Sequence, residues 1–109
     1  MPPKSFLGEF EQMVLLAILQ RGDHANALEI RRELEESADR TVSKGAFYTT
    51  LDRLEKKGYL TWEARPVAEG RGGMPQRHFR VSPEGIQELQ RSRDALRALW
   101  RGLDGVLGA

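Results

Sequence analysis

Residues Thr41 to Arg65, TVSKGAFYTTLDRLEKKGYLTWEAR, decide how the rest of the chain is read. Ser43 is a good helix N-cap, because its hydroxyl oxygen can accept a hydrogen bond from an otherwise unpaired N–H of the first turn. Behind it Phe47, Leu51 and Leu54 recur at helical spacing and form a narrow apolar stripe. Lys44, Gly45, Tyr48, Thr49, Asp52 and Lys56 fall on the opposite side, so one face packs and the other is open to read a partner. Gly58 is placed to end the helix in a left-handed conformation. From Tyr59 to Arg65 the pattern switches to alternation: Leu60, Trp62 and Ala64 lie on one side, with Trp62 read as core, and Thr61, Glu63 and Arg65 on the other. Pro66 to Pro75 is then rich in Gly and Pro and carries Arg71, and a second alternating run puts Arg77, Phe79 and Val81 on one face. Helix, strand, basic glycine-rich loop, strand is the order of a winged helix-turn-helix: mostly α with a small β-wing.

Working back towards the N-terminus, residues 1 to 5 read as a loose tail, with Ser5 a candidate cap. From about Leu7 to Arg21, Phe10, Met13, Val14, Ala17, Ile18 and Leu19 form a broad helical stripe that belongs to the core. Gly22 and Asp23 end that helix. A second is expected from about Ala25 to Ser37, with Ala27, Leu28, Ile30 and Leu34 inward and Glu29, Arg32, Glu33 and Glu36 outward. It is the first helix of the helix-turn-helix. Ala38 to Thr41 form the turn, and Thr41 with Val42 is expected to pair with the wing as a short third strand.

Beyond the wing, Ser82 and Pro83 make a strong helix start, a cap followed by proline at the first helical position. Ile86, Leu89, Leu96, Leu99, Trp100, Leu103, Val106 and Leu107 then recur at three and four residues, interrupted at Ser92 and Arg93. The expected helix is about 25 residues, or roughly 37 Å at 1.5 Å per residue, longer than a core this small covers. A second copy of the chain is the simplest supplier of a partner helix, giving a homodimer seamed by Leu89, Leu96, Leu99, Trp100, Leu103 and Leu107. The alternative is a helix that folds back on the first one. The division expected is a winged helix-turn-helix unit over residues 6–81 and a dimerisation helix over 82–109.

The 109 residues suit one domain and leave no room for a second, catalytic one. The net charge of +1 hides a gradient. Residues 1–39 carry 4 basic and 8 acidic side chains, residues 40–80 carry 9 and 4, and residues 81–109 carry 4 and 4. Positive charge therefore lies on the reading helix and wing, which is the footprint of nucleic-acid binding, although a solvated face has the same composition. Absence of cysteine rules out disulfides and thiolate metal sites and fits a reducing cytoplasm. The apolar run VLLAIL is too short for a membrane span or signal peptide, so a cytoplasmic, membrane-free protein is expected. His24 and His78 have no ligand-spaced companions, so neither metal nor cofactor is implied. GRGG at Gly70 to Gly73 lacks the Lys-Ser/Thr of a phosphate loop and leads into a strand, and no serine sits in a nucleophile elbow. These features argue against an enzyme.

The residues also resemble a known family. Val42-Ser43-x-Gly45-x-x-Tyr48-x-Thr50-Leu51-x-Arg53-Leu54-Glu55-x-x-Gly58, the wing with Arg71-Gly72-Gly73, and Phe79-Arg80-Val81-Ser82-Pro83-x-Gly85 look like the PadR family of bacterial transcription regulators. The likeness runs from about Gly8 to Leu107. It implies a dimeric winged-helix repressor that binds palindromic double-stranded DNA, dimerises through its C-terminal helix and, in some members, releases DNA on binding a small ligand. Carried over by position, Ser43, Lys44, Gly45, Tyr48 and Thr49 would face DNA from the reading helix, and Arg65, Arg71 and Arg77 would serve the wing. Trp100 would either line a cavity for a small aromatic ligand at the seam or be plain interface core. This chain has Asn26-Ala27 where many members carry an aromatic-Gly pair, and Thr49 where they carry proline.

The reading is a homodimeric DNA-binding transcriptional regulator, a repressor without catalysis. Two rivals are a winged-helix protein-interaction module, for which a more apolar docking face is expected, and a ligand sensor centred on Trp100 with weak DNA binding.

Overall fold

The computed structural model describes residues 5–66 and 75–108. Helices α1 (Glu9–Gln20), α2 (Ala27–Ala38) and α3 (Lys44–Lys56) precede an antiparallel hairpin of β1 (Leu60–Arg65) and β2 (Gln76–Val81). Helix α4 (Pro83–Trp100) and a short α5 (Asp104–Leu107) follow. The first turns of the four long helices find local partners. The Gly8 N–H donates to Glu11 Oε1 at 2.9 Å, so α1 starts behind Gly8 and not at Ser5. At α2 the Glu29 N–H donates to Asn26 Oδ1 (2.9 Å) while the Asn26 N–H donates to the Glu29 carboxylate (3.0 Å), a reciprocal capping box. Ser43 Oγ accepts from the Ala46 N–H at 3.2 Å, and Ser82 Oγ from the Gly85 N–H at 3.1 Å, as the sequence led one to expect.

Val14, Leu15 and Ile18 of α1, Ile30 and Leu34 of α2, Phe47, Leu51 and Leu54 of α3, and Leu60 and Phe79 of the hairpin form one closed core. Leu15 was outside the expected stripe and is fully buried, because α1 is covered on a broader face. Leu28 was expected inward and is exposed: it lies two positions from Ile30, on the far side of α2 from the core.

The hairpin pairs Leu60 with Val81, Trp62 with Phe79, Ala64 with Arg77 and Arg65 with Gln76. Thr41 and Val42 do not form a third strand. That edge of β2 is taken instead by Ala25, bridged to Phe79. Trp62 is 40 % exposed and is not core: β1 is open to solvent from Thr61 onward, while Phe79 opposite Trp62 on β2 stays buried. Its indole N–H donates to Glu55 Oε2 of α3 at 3.0 Å.

Gly58 ends α3 at φ +80, and the Tyr59 N–H closes back on the Leu54 carbonyl at 3.0 Å. Against this corner sits the start of α4: the Ser82 hydroxyl donates to the Gly58 carbonyl at 2.6 Å and the Ser82 N–H to the Tyr59 carbonyl at 3.0 Å. A Cβ at Gly85 would lie 2.3 Å from that same carbonyl oxygen, so only glycine fits there. The C-terminal helix is long but shorter than expected. It spans 18 residues and stops where Arg101 turns extended (ψ 128) and Gly102 takes φ +77, although the apolar spacing continues through the break into α5.

Candidate nucleic-acid interface

Because Phe47, Thr50, Leu51 and Leu54 turn inward, the other face of α3 is left to solvent. Thr50 satisfies its hydroxyl on the Ala46 carbonyl at 2.9 Å and so can point at the core. Ser43, Lys44, Gly45 and Thr49 are exposed around the first two turns, and Tyr48 is half-buried, its ring meeting Phe47 edge-on at 5.5 Å. The far end of α3 is anchored to α1 by Lys57 Nζ, 2.8 Å from Glu11 Oε2. Burial pushes the Glu11 carboxyl up, but the hydrogen bonds from Lys57 and the Gly8 N–H, with the charges of Lys57 and Arg53, outweigh it and hold the carboxyl below its ordinary range.

The wing stands beside this face. Arg77 places its guanidinium 5.9 Å from the Tyr48 ring centroid, 5.2 Å from that of Trp62 and 5.4 Å from that of Phe79. Arg65 lies on the opposite face of the hairpin. It donates to Glu63 Oε1 from Nε (3.0 Å) and Nη2 (2.7 Å), and Nη2 also lies 3.0 Å from His24 Nδ1. Those hydrogen bonds and the charge of Arg65 hold the Glu63 carboxyl below its ordinary range. Arg80 shares that polar face, 3.8 Å from Asp23 Oδ2. Arg71 lies outside the described residues.

Ser43, Lys44, Gly45, Tyr48 and Thr49 thus come together at one end of α3 with Arg77 next to them, while Arg65 is held apart by Glu63 and His24. Sequence reasoning missed the ring partners of Arg77. The signal was available, since the alternation that puts Arg77 with Phe79 also puts Trp62 on that face, and the small Ala64 opposite Arg77 leaves room for its side chain. It also missed Asn26, whose side-chain amide donates to Gln76 Oε1 at 3.4 Å and joins the start of α2 to β2.

Elsewhere, α1 and α4 border a cavity of about 830 Å³ whose walls include Leu16, Leu19, Leu89, Leu96 and Trp100. Leu96, Leu99, Trp100, Leu103 and Leu107 are exposed, whereas Leu89 packs partly against the core. Among the described residues no group of three or more His, Asp or Glu side chains could hold a metal ion, and no helix is long and apolar enough to cross a membrane.

A three-helix core with the N-terminal end of its third helix open beside a two-stranded basic wing defines a winged-helix protein. Solved structures agree on the fold. A PadR-like transcription factor from Bacteroides fragilis superposes with a TM-score of 0.72 at 23% identity over 89% of this chain and 88% of its own. F93 from STIV, a winged-helix DNA-binding protein, gives 0.72 at 15% identity over 90% of this chain and 98% of its own. A PadR-like transcriptional regulator from Bacillus cereus gives 0.71 at 17% identity over 92% of both chains. No curated protein matches the chain. The model of the Transcriptional regulator PadR-like family matches residues 15–91, and the chain belongs to that family. It is a PadR-like transcriptional regulator with a winged-helix DNA-binding fold.

Proposed function

We propose that the protein is a homodimeric repressor, cytoplasmic and without enzymatic activity, that binds an inverted-repeat operator and releases it when a small aromatic effector occupies the seam around Trp100. The observation that carries the reading is the open N-terminal half of α3. Ser43, Lys44, Gly45 and Thr49 are exposed there and Tyr48 presents one edge, in the part of a helix-turn-helix that enters the major groove. Lys44 suits phosphate foremost and a guanine edge as well, Tyr48 and Thr49 suit base edges or phosphate, and Gly45 lets the backbone come close. Arg77 places positive charge on the wing beside them, and Arg65 and Arg71 are proposed to serve the wing against DNA as well.

Dimerisation is supported by the exposed apolar row on α4 and α5, where Leu99 is 74 % and Trp100 60 % exposed. Seating a second copy on that row would remove it from water, the main driving force for association. The cavity next to Trp100 has the size and apolar walls that a drug-sized effector needs.

Selection of bound sequences from random duplex DNA tests this reading. Enrichment of an inverted repeat with half-sites about 34–36 Å apart, or a multiple of that, is expected. Recovery of unrelated sequences without symmetry would contradict it.

A further inference from the structure

Arg77 occupies an unusual place for a wing arginine. Its guanidinium lies within 6 Å of three ring centroids, each from a different element: Tyr48 of α3, Trp62 of β1 and Phe79 of β2. A planar, weakly hydrated guanidinium is the cation best suited to such a site, since it can lie against ring faces that attract positive charge. Among the described residues no carboxylate pairs with it, so the rings are its partners there.

The geometry joins the wing to the reading helix at two points. Near the C-terminal end of α3, Glu55 accepts the Trp62 indole N–H at 3.0 Å. Near the N-terminal end, Arg77 is the bridge to Tyr48, whose neighbours on the helix surface are Lys44, Gly45 and Thr49. The base of the hairpin is held independently, by the Ala25–Phe79 bridge and by Asn26 on Gln76, so what Arg77 adds is the contact with Tyr48: without it the Tyr48 ring loses the cation that faces it from β2.

We propose that Arg77 is a positioning residue for DNA reading: set among Tyr48, Trp62 and Phe79, it holds the Tyr48 ring in place from the wing side and acts on the duplex through Tyr48, without neutralising a phosphate of its own. A wing arginine is otherwise expected to contact phosphate, and the proposal rests on the reading of DNA by α3. A lysine at this site keeps the charge and loses the planar guanidinium that lies over the rings.

The test compares Arg77→Lys and Arg77→Ala with the parent chain on the selected operator and on random duplex, across a salt series and at temperatures well below melting, each also in a Tyr48→Ala background. The clamp predicts that Arg77→Lys lowers the operator-to-random affinity ratio about tenfold, leaves random-duplex affinity and its salt slope at the parent level, and adds nothing once Tyr48 is gone. A phosphate contact predicts otherwise: Arg77→Lys behaves like the parent, and Arg77→Ala lowers the salt slope by about one unit per protomer with the ratio preserved. That result overturns the proposal, as does an equal loss on both duplexes that tracks a lower melting temperature. A readout without DNA separates failure of the clamp from failure of the DNA reading. In a Trp100→Phe background Trp62 is the sole tryptophan, and Arg77→Lys should change its emission. Unchanged emission overturns the clamp whatever the DNA results, whereas a changed emission in a protein that prefers no duplex supports the clamp and contradicts the proposed function.

Discussion

Ala25 and Phe79 exchange two backbone hydrogen bonds, the Ala25 N–H donating to the Phe79 carbonyl at 3.3 Å and the Phe79 N–H to the Ala25 carbonyl at 2.8 Å. This one bridge ties the outer edge of the wing to the link between α1 and α2. Close by, the Val81 N–H donates to Asp23 Oδ1 at 2.9 Å, from a residue held at φ 61. The base of the wing is therefore fixed to the same corner that starts the helix-turn-helix, and only the part beyond Trp62 and Phe79 stands clear of the core.

Phe79→Ala should remove the side chain that makes this corner solid. Phe79 is 1 % exposed, and truncation of a buried aromatic costs about 3–5 kcal/mol. Urea unfolding followed by circular dichroism measures it, and a loss below about 1 kcal/mol would show that the wing base is not part of the cooperative core.

Gly85→Ala should destabilise although alanine is the better helix former. The added methyl would meet Tyr59 O at 2.3 Å and Val81 Cγ1 at 2.8 Å, and the first of these is backbone that cannot turn aside. Overpacking of this kind costs about 1–3 kcal/mol, more than the propensity gain. A melting temperature equal to or above that of the parent would contradict the close approach of α4 to the Tyr59 carbonyl.

Glu11 gives the fold an acid limb. Because its carboxyl is held below the ordinary glutamate range, the stability it contributes is present above that range, about pH 4.3, and is lost as pH falls through it and then through the lower folded value. Glu11→Gln keeps an oxygen for the Gly8 N–H but loses the charge facing Lys57. It should cost about 1 kcal/mol at neutral pH, the exposure of Lys57 limiting the figure, and flatten the decline of stability between about pH 5 and pH 3. Stability profiles of the two proteins that stay parallel through that range would rule out the coupling.

Most of the fold was legible because its boundaries are made by single residues with one physical job. Ser43 and Ser82 cap, Gly58 turns, and Pro83 opens a helix, and each does so where its chemistry indicated. The errors came where a local pattern outran its tertiary support. Alternation cannot tell that β1 leaves the core after Leu60 while β2 stays in it as far as Phe79, so Trp62 was taken for core. Apolar spacing carried the last helix through Gly102, where the backbone turns out of helix. A single bridging residue such as Ala25 leaves no periodicity at all, so the third partner of the wing was sought at Thr41 and Val42. At the candidate site the α3 residues were legible from their face, and Trp62 and Phe79 beside Arg77 from alternation, but the approach of Arg77 to Tyr48 depends on how near the wing lies to α3, which no spacing rule gives.

The proposed dimer makes a clean prediction because its residues lie outside the core of one copy. Leu96 is 51 % exposed and Leu99 74 %, so Leu96→Glu with Leu99→Glu should leave the helical content of each chain intact. In a dimer the same charges would be buried unpaired, and association should fail. Sedimentation at micromolar concentration is expected to show a dimer for the parent and a monomer for the variant, and a monomeric parent would contradict the proposal.

The central claim is that the first two turns of α3 choose the DNA sequence, and Lys44 and Thr49 test it most directly because both are exposed and neither supports the core. The measurement is the affinity of Lys44→Ala with Thr49→Ala for the selected operator and for random duplex, beside its melting temperature. We expect an unchanged melting temperature and a loss of operator affinity of about 1–3 kcal/mol for each base pair no longer read, so that discrimination falls at least tenfold. A folded double variant that discriminates operator from random duplex as well as the parent does would contradict the account.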